Sequence, residues 1–368
     1  MLASVASRLL RAVLLRVAGL AVLGALVTAV LAAGRVLPVA APSRSAATLS
    51  AAAPTAAQTA AQTAAPPARI TRPSARPSAR PAAGPVEHPT QGDGAGPTVG
   101  AERSGLVELP RGGRSVFPRY RLVGYSGGPG TAAFGRLGVG DLDDRVAEIE
   151  QLGRQYAGDR EPLPVLELIA VVAQPRPGAD GRYRVRVENE VIRSYLDAAR
   201  RHRALLLLNV QPGRADFLDE VKALEPWLRQ PDIGLALDPE WAVGGGEVPG
   251  RVFGSTTGAE LDRVSRYVAD LVIANRLPEK VVVVHQLATR VLRNESDLQP
   301  HWGVVVVKSV DGIGSRRAKT DTWQRLVAGM PPVLHPGFKL FYLEDSAPLM
   351  SPEQVLGLTP QPEYVLYE

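Results

Sequence analysis

The most chemically pointed stretch of the sequence is Asp238-Pro239-Glu240-Trp241, which follows the apolar run 233–237. If that run is a strand, the two carboxylates fall on one face, continuing from the small residues Gly234 and Ala236. Two adjacent carboxylates do not both ionise cheaply, so one pKa is expected to rise. A neutral carboxyl beside a charged one is the arrangement a general acid needs. Trp241 offers a ring for stacking on a sugar. The bland alternative is that Asp238 caps the loop backbone and Trp241 packs on a rim.

Polar and aromatic residues close other apolar runs in the same manner. They are Tyr125 and Ser126; Asn209 and Gln211; His285 and Gln286; Lys308, Ser309 and Asp311; and Tyr342, Glu344 and Asp345. Asp238, Glu240, His285 and Asp311 are also ligand types for zinc or manganese, but they stand at separate run ends with one His among them. His285 has no G-x-S-x-G elbow to serve. The chain has no Cys, which excludes disulfides, thiolate metal sites and a Cys nucleophile. No metal and no cofactor is expected.

A β/α alternation is predicted to position these residues. Strands are expected at 121–124, 165–172, 205–209, 233–237, 281–284, 303–307, 338–342 and 364–367. Most are unbroken apolar runs, as in a parallel sheet buried on both faces. Helical periodicity marks 144–156, 189–202, 215–228 and 259–275. Thr257 with Glu260 reads as a capping box, and Ser351-Pro352-Glu353 reads as a further helix start. Eight strands with intervening helices in about 250 residues imply an α/β fold, a (β/α)8 TIM-like barrel. A doubly wound sheet is the alternative, but its phosphate loop would be Tyr125-Ser-Gly-Gly-Pro-Gly130, with a proline inside it. The sequence stops at Glu368, just after the eighth strand, so the last outer helix is expected to be lacking and residues 101–118 or a partner to cover that face. Loops 173–188, with Arg182, Arg184 and Arg186, and 242–256, with Gly244-Gly-Gly246, flank the expected site. The first is read as a small hairpin or an anion-binding loop, the second as a lid or a plain surface loop.

Charge divides the chain. Residues 1–116 hold 12 Arg and no Lys against four acids, a net of +8, while the remainder carries −3. All 19 aromatics lie from Phe117 onward. The basic charge and the foldable part are therefore separate, which excludes a basic nucleic-acid-binding globule. Arg8, Arg11 and Arg16 precede an apolar run at 17–33, so 1–40 is read as a signal peptide or a signal-anchor transmembrane helix. Either one leaves the rest extracytoplasmic, membrane-anchored or secreted. Residues 41–116 are rich in Ala, Pro and Arg, with Arg-Pro at 72, 76 and 80. They are read as a disordered linker, a spacer or an arm for anionic polymer. The barrel domain is expected over 117–368.

With these strand ends the chain resembles the many retaining glycosidases that place an acid/base Glu after strand four and a nucleophile Glu after strand seven of a (β/α)8 barrel. Glu240 and Glu344 stand at those positions, and a retaining mechanism wants its two carboxyls about 5–5.5 Å apart. The family pattern has Asn before the strand-four acid, where this chain has Pro239. The Asp-x-Glu end is similar to that of lysozyme-like and chitinase-like barrels, in which Glu240 would be the acid and Asp238 its helper. The whole 117–368 segment also resembles exported actinobacterial barrels with Asp-Pro-Glu-Trp, His-Gln and Glu-Asp strand ends, which implies fold and export.

The resemblance thus implies a glycosidase-like hydrolase of the cell envelope, acting on a carbohydrate or wall polymer. Its catalytic residues would be Glu240, Asp238 and Glu344. Tyr125, Asn209, Gln211, Trp241, His285, Gln286, Asp311, Tyr342 and Asp345 would contact the substrate. The alternative is a non-catalytic barrel that binds surface polysaccharide on a tethered stalk.

Overall fold

A computed structural model describes residues 106–368. The expected targeting segment and almost all of the expected linker lie outside the described residues, which contain no helix long and apolar enough to cross a membrane.

Eight parallel strands form a closed barrel in chain order. They are β1 (Tyr120–Gly127), β2 (Glu161–Ala173), β3 (Leu205–Val210), β4 (Ile233–Leu237), β5 (Lys280–Gln286), β6 (Val304–Val310), β7 (Leu334–Leu340) and β8 (Tyr364–Tyr367). Each pairs with its neighbour, and β8 pairs back onto β1. The fold is the expected α/β barrel. Period-two alternation divides the side chains of every strand between two cores. Leu122, Val165, Leu207, Ala236, Val283, Val307 and Leu366 fill the interior. Their neighbours Val123, Leu166, Leu208, Leu235, Val284, Val306 and Val365 face the helices.

The outer layer comprises α1 (Leu142–Tyr156), α2 (Asn189–Arg201), α3 (Phe217–Ala223), α4 (Glu225–Leu228), α5 (Gly258–Asn275), α6 (Arg316–Val327) and α7 (Pro352–Leu356). The stretch expected to be one helix over 215–228 is two, because Pro226 has no N–H to donate and starts α4 afresh after Leu224. Thr257 caps α5 by accepting from the Glu260 N–H, but the Glu260 side chain turns instead to the Thr256 hydroxyl. The complete capping box is at Ser351 and Gln354. Strand β7 begins earlier than expected, since His335-Pro336-Gly337 looks like a turn yet pairs in register with Val307, Lys308 and Ser309.

Residues 107–118 do not fill in for an outer helix. They cross the N-terminal end of the barrel, where Leu109 and Val116 join the interior core. There the Val116 N–H donates to Glu279 at 2.6 Å and the Tyr120 hydroxyl to the Gly112 carbonyl at 2.7 Å. The packed body thus begins before the expected boundary at 117. On the outside, α1 and α7 touch each other across the β8–β1 junction.

Candidate active site

The C-terminal ends of the strands bring a layer of charge into the barrel. From β2, Glu167 points inward from between Leu166 and Leu168 and is fully buried. It accepts from Asn209 Nδ2 at 2.9 Å, from the Tyr364 hydroxyl at 2.8 Å and from His285 Nε2 at 2.9 Å. The other nitrogen of His285, Nδ1, lies 2.8 Å from Asp311 Oδ2. Asp311 also accepts from the Ser309 hydroxyl at 2.8 Å and lies 3.5 Å from Lys339 Nζ. Lys339 reaches Glu368 Oε2 at 2.6 Å, and the Ser126 hydroxyl donates to the same oxygen at 3.1 Å. Charges of alternating sign, Glu167–His285–Asp311–Lys339–Glu368, thus run around the mouth from β2 to β8.

A histidine clamped between two carboxylates donates from both nitrogens. Burial alone would push its pKa down, but Asp311 and Glu167 outweigh that and hold it well above the usual range. The imidazolium in turn draws Asp311 down to about 2 and Glu167 below its ordinary value, against the burial that raises both. With both ring nitrogens committed, His285 has none left for a metal. Among the described residues no group of three or more His, Asp or Glu is arranged to hold one.

Asp238 and Glu240 stand at the end of β4, and among the described residues no cation lies within ion-pair distance of either. Asp238 is buried and, among the described residues, accepts only from Gln211 Nε2, at 3.3 Å. Glu240 is half-buried, yet its Oε2 is sealed from solvent and has no hydrogen-bond partner. Burial first, then Asp238 and Asp311, raise the Glu240 pKa well above the carboxylate range. Burial raises Asp238 too, opposed by His285 and Lys339. Of the two, Glu240 is the more strongly favoured in its protonated form.

The local backbone explains the placement. Asp238 ends the strand through its N–H to the Val210 carbonyl, and Pro239–Trp241 turn in a single 3-10 helix. The following loop folds back, with the Gly254 N–H donating to the Glu240 carbonyl at 2.7 Å. A Cβ at Gly254 would lie 2.0 Å from the Ala242 carbonyl oxygen, so only glycine closes the loop this tightly. The Trp241 ring lies against Gly250 of the same loop.

The other expected residues divide into distinct groups. Asn209, Gln211, His285 and Asp311 belong to the inward layer. Gln286 is buried on the opposite parity and donates from Nε2 to the Ala288 carbonyl at 3.4 Å. Tyr125 faces the helices beside Tyr342 and Tyr367, with its hydroxyl 3.3 Å from that of Tyr342. Asp345 is a loop staple: it accepts from the Phe341 and Gly314 N–H groups and pairs with Lys319 at 2.9 Å. Glu344 is exposed, and the charges acting on its carboxyl are Glu368, Asp345 and Lys339, whereas those acting on Glu240 are Asp238, Asp311 and His285. Arg184 and Arg186 form the expected hairpin against β2, and both are spent on the buried Glu220, at 2.7 and 2.8 Å.

Sequence reasoning missed Glu167, Lys339, Tyr364 and Glu368. The signal was available: a lone charge at inward parity inside an apolar strand is expensive to bury unless it is paired. At the opposite end of the barrel, a polar hollow of about 420 Å³ is lined by Arg111, Arg201, Arg203, His202, Glu150 and Glu161. Its guanidinium groups are occupied by Glu150, Asp143 and the Pro110 carbonyl.

Fold and site together define a (β/α)8 barrel with a buried acidic centre at the C-terminal ends of its strands. No protein-family model and no curated protein matches the chain. A hyperthermophilic endo-β-1,4-glucanase solved in complex with substrate aligns over 62% of this chain and 82% of its own, at 8% sequence identity and a TM-score of 0.33.

Proposed function

We propose that the barrel is an extracytoplasmic glycosidase-like hydrolase of a carbohydrate or cell-wall polymer, with Glu240 as acid/base and Asp238 as its partner. The observation that carries this reading is the sealed, partnerless Glu240 Oε2 beside Asp238 at the barrel mouth, on a carboxyl that burial and its acidic neighbours hold well above the ordinary range. Glu240 gives its proton to the glycosidic oxygen as the C–O bond breaks. Water then adds to the anomeric carbon and returns a proton to the carboxylate, and Asp238 steadies the positive charge between the two events. Asp238 suits the partner's role better than Glu344, whose carboxyl belongs to the Glu368 group. Export rests on the sequence of residues 1–40, and the linker is the stalk or spacer that follows.

The test is hydrolysis and binding of a panel of wall polysaccharides by the full chain. Glu240→Gln is expected to cut hydrolysis by about 10²–10⁴-fold with binding retained. Undiminished turnover in that variant sinks Glu240 as the acid. Binding without turnover by the wild type leaves the non-catalytic polysaccharide-binding barrel, and neither binding nor turnover removes both.

A further inference from the structure

The mouth of the barrel is short of hydrogen-bond donors. Its two buried cations are already spent: Lys339 on Glu368 and Asp311, and His285 on Asp311 and Glu167. On the β3–β4 side stand acceptors with nothing to accept from. Glu240 Oε2 is sealed and partnerless. Asn209 is 1% exposed, and its Oδ1 is also partnerless. Turning the Asn209 amide over does not help, because the Glu167 carboxylate requires the NH2 group where it is. Asp238 has one amide donor for two oxygens. Such a set lacks what an ammonium brings, namely three donors, no acceptor and a positive charge. A neutral hydroxyl brings one donor and no charge.

We propose that this side of the mouth is a subsite for the protonated free amine of an amino sugar, received by Asp238, Glu240 and Asn209. The proposal rests on the carbohydrate reading and narrows it: the substrate is a polymer with unacetylated amino groups rather than a neutral or N-acetylated one. Entry of an ammonium supplies the counter-charge the two acids lack. An N-acetyl group brings one N–H donor and no charge, so it leaves the two acids without a counter-charge.

The experiment is calorimetric titration of the full chain with oligomers of glucosamine and of galactosamine, with their N-acetylated counterparts, and with cello-oligosaccharides. It is run at a pH where the amines are protonated. At least one free-amine series is expected to bind tenfold or more tightly than its acetylated form. Asp238→Asn is expected to reduce that preference by about tenfold, and Glu240→Gln to reduce it as well, so that one variant still reports if the other fails to fold. Equal binding of amine and acetylated forms, or a preference that survives both substitutions, overturns the subsite. Cleavage of a neutral polymer through Glu240 would keep the hydrolase reading and defeat this one. Amine-selective binding without any cleavage would do the reverse.

Discussion

His285 decides how the acidic centre can be folded at all. Glu167 and Asp311 are buried carboxylates, and the imidazolium between them is what makes their burial affordable. Removing one partner of such a set strands the rest, so His285→Gln is expected to cost about 3–5 kcal/mol of stability near neutral pH, read by urea unfolding. A loss below about 1 kcal/mol would mean that the carboxylates are satisfied by other means. The pH profile has a definite sign. His285 is raised in the folded state, so its contribution is complete below its unfolded pKa and fades as pH climbs through the raised folded one. Asp311 and Glu167 are depressed, so theirs is present above their unfolded values and is lost as pH falls, for Asp311 down to about 2. Wild-type stability should therefore plateau between an acid and an alkaline limb, and His285→Gln should remove the part of the alkaline limb that begins above the unfolded histidine pKa, leaving the part that Lys339 adds at higher pH.

At the scale of elements, the strands were legible because burial on both faces writes an apolar run, and six of the eight ended in residues that drew attention. Whether such an end faces the mouth or the helices was not legible, because it turns on parity and on where the strand begins. Tyr125 and Tyr367 took the outer face, and β7 begins at Leu334, ahead of a Pro-Gly pair that reads as a turn. Asp345 shows the limit most clearly. An acid after strand seven suggests chemistry, yet its side chain is 2% exposed and binds two backbone amides and Lys319, so it ties the β6 loop to the β7 loop. Asp345→Ala leaves a buried lysine without its counter-charge and two N–H groups without their acceptor, and should cost roughly 3–5 kcal/mol. It should change polymer affinity no more than that loss of fold requires. A stable Asp345→Ala protein that fails to bind would instead make Asp345 a ligand contact.

The whole molecule couples a body of net −3 to a leading segment of net +8, and the place where the two meet is structural. Composition put the boundary at Phe117, since aromatics begin there. Packing puts it earlier: Leu109 and Val116 are inside the core that fills the barrel, and Arg114 donates to the Leu277 carbonyl at 2.6 Å. Two buried aliphatic side chains are worth about 3–6 kcal/mol together, which for a body of this size is roughly 10 °C or more in melting temperature. A chain starting at residue 106 is therefore expected to melt with the full-length protein, and one starting at 119 far below it. Leu109→Ala in the full chain should fall between them, losing about 2–5 kcal/mol, and it reports even if the shorter chain never folds. If the chain from 119 melts within about 2 °C of the chain from 106, residues 107–118 are only a lead-in. If it melts far below, the floor of the barrel is built from residues whose composition belongs to the linker, and any truncation chosen by composition alone removes part of the scaffold that aligns Asp238 and Glu240.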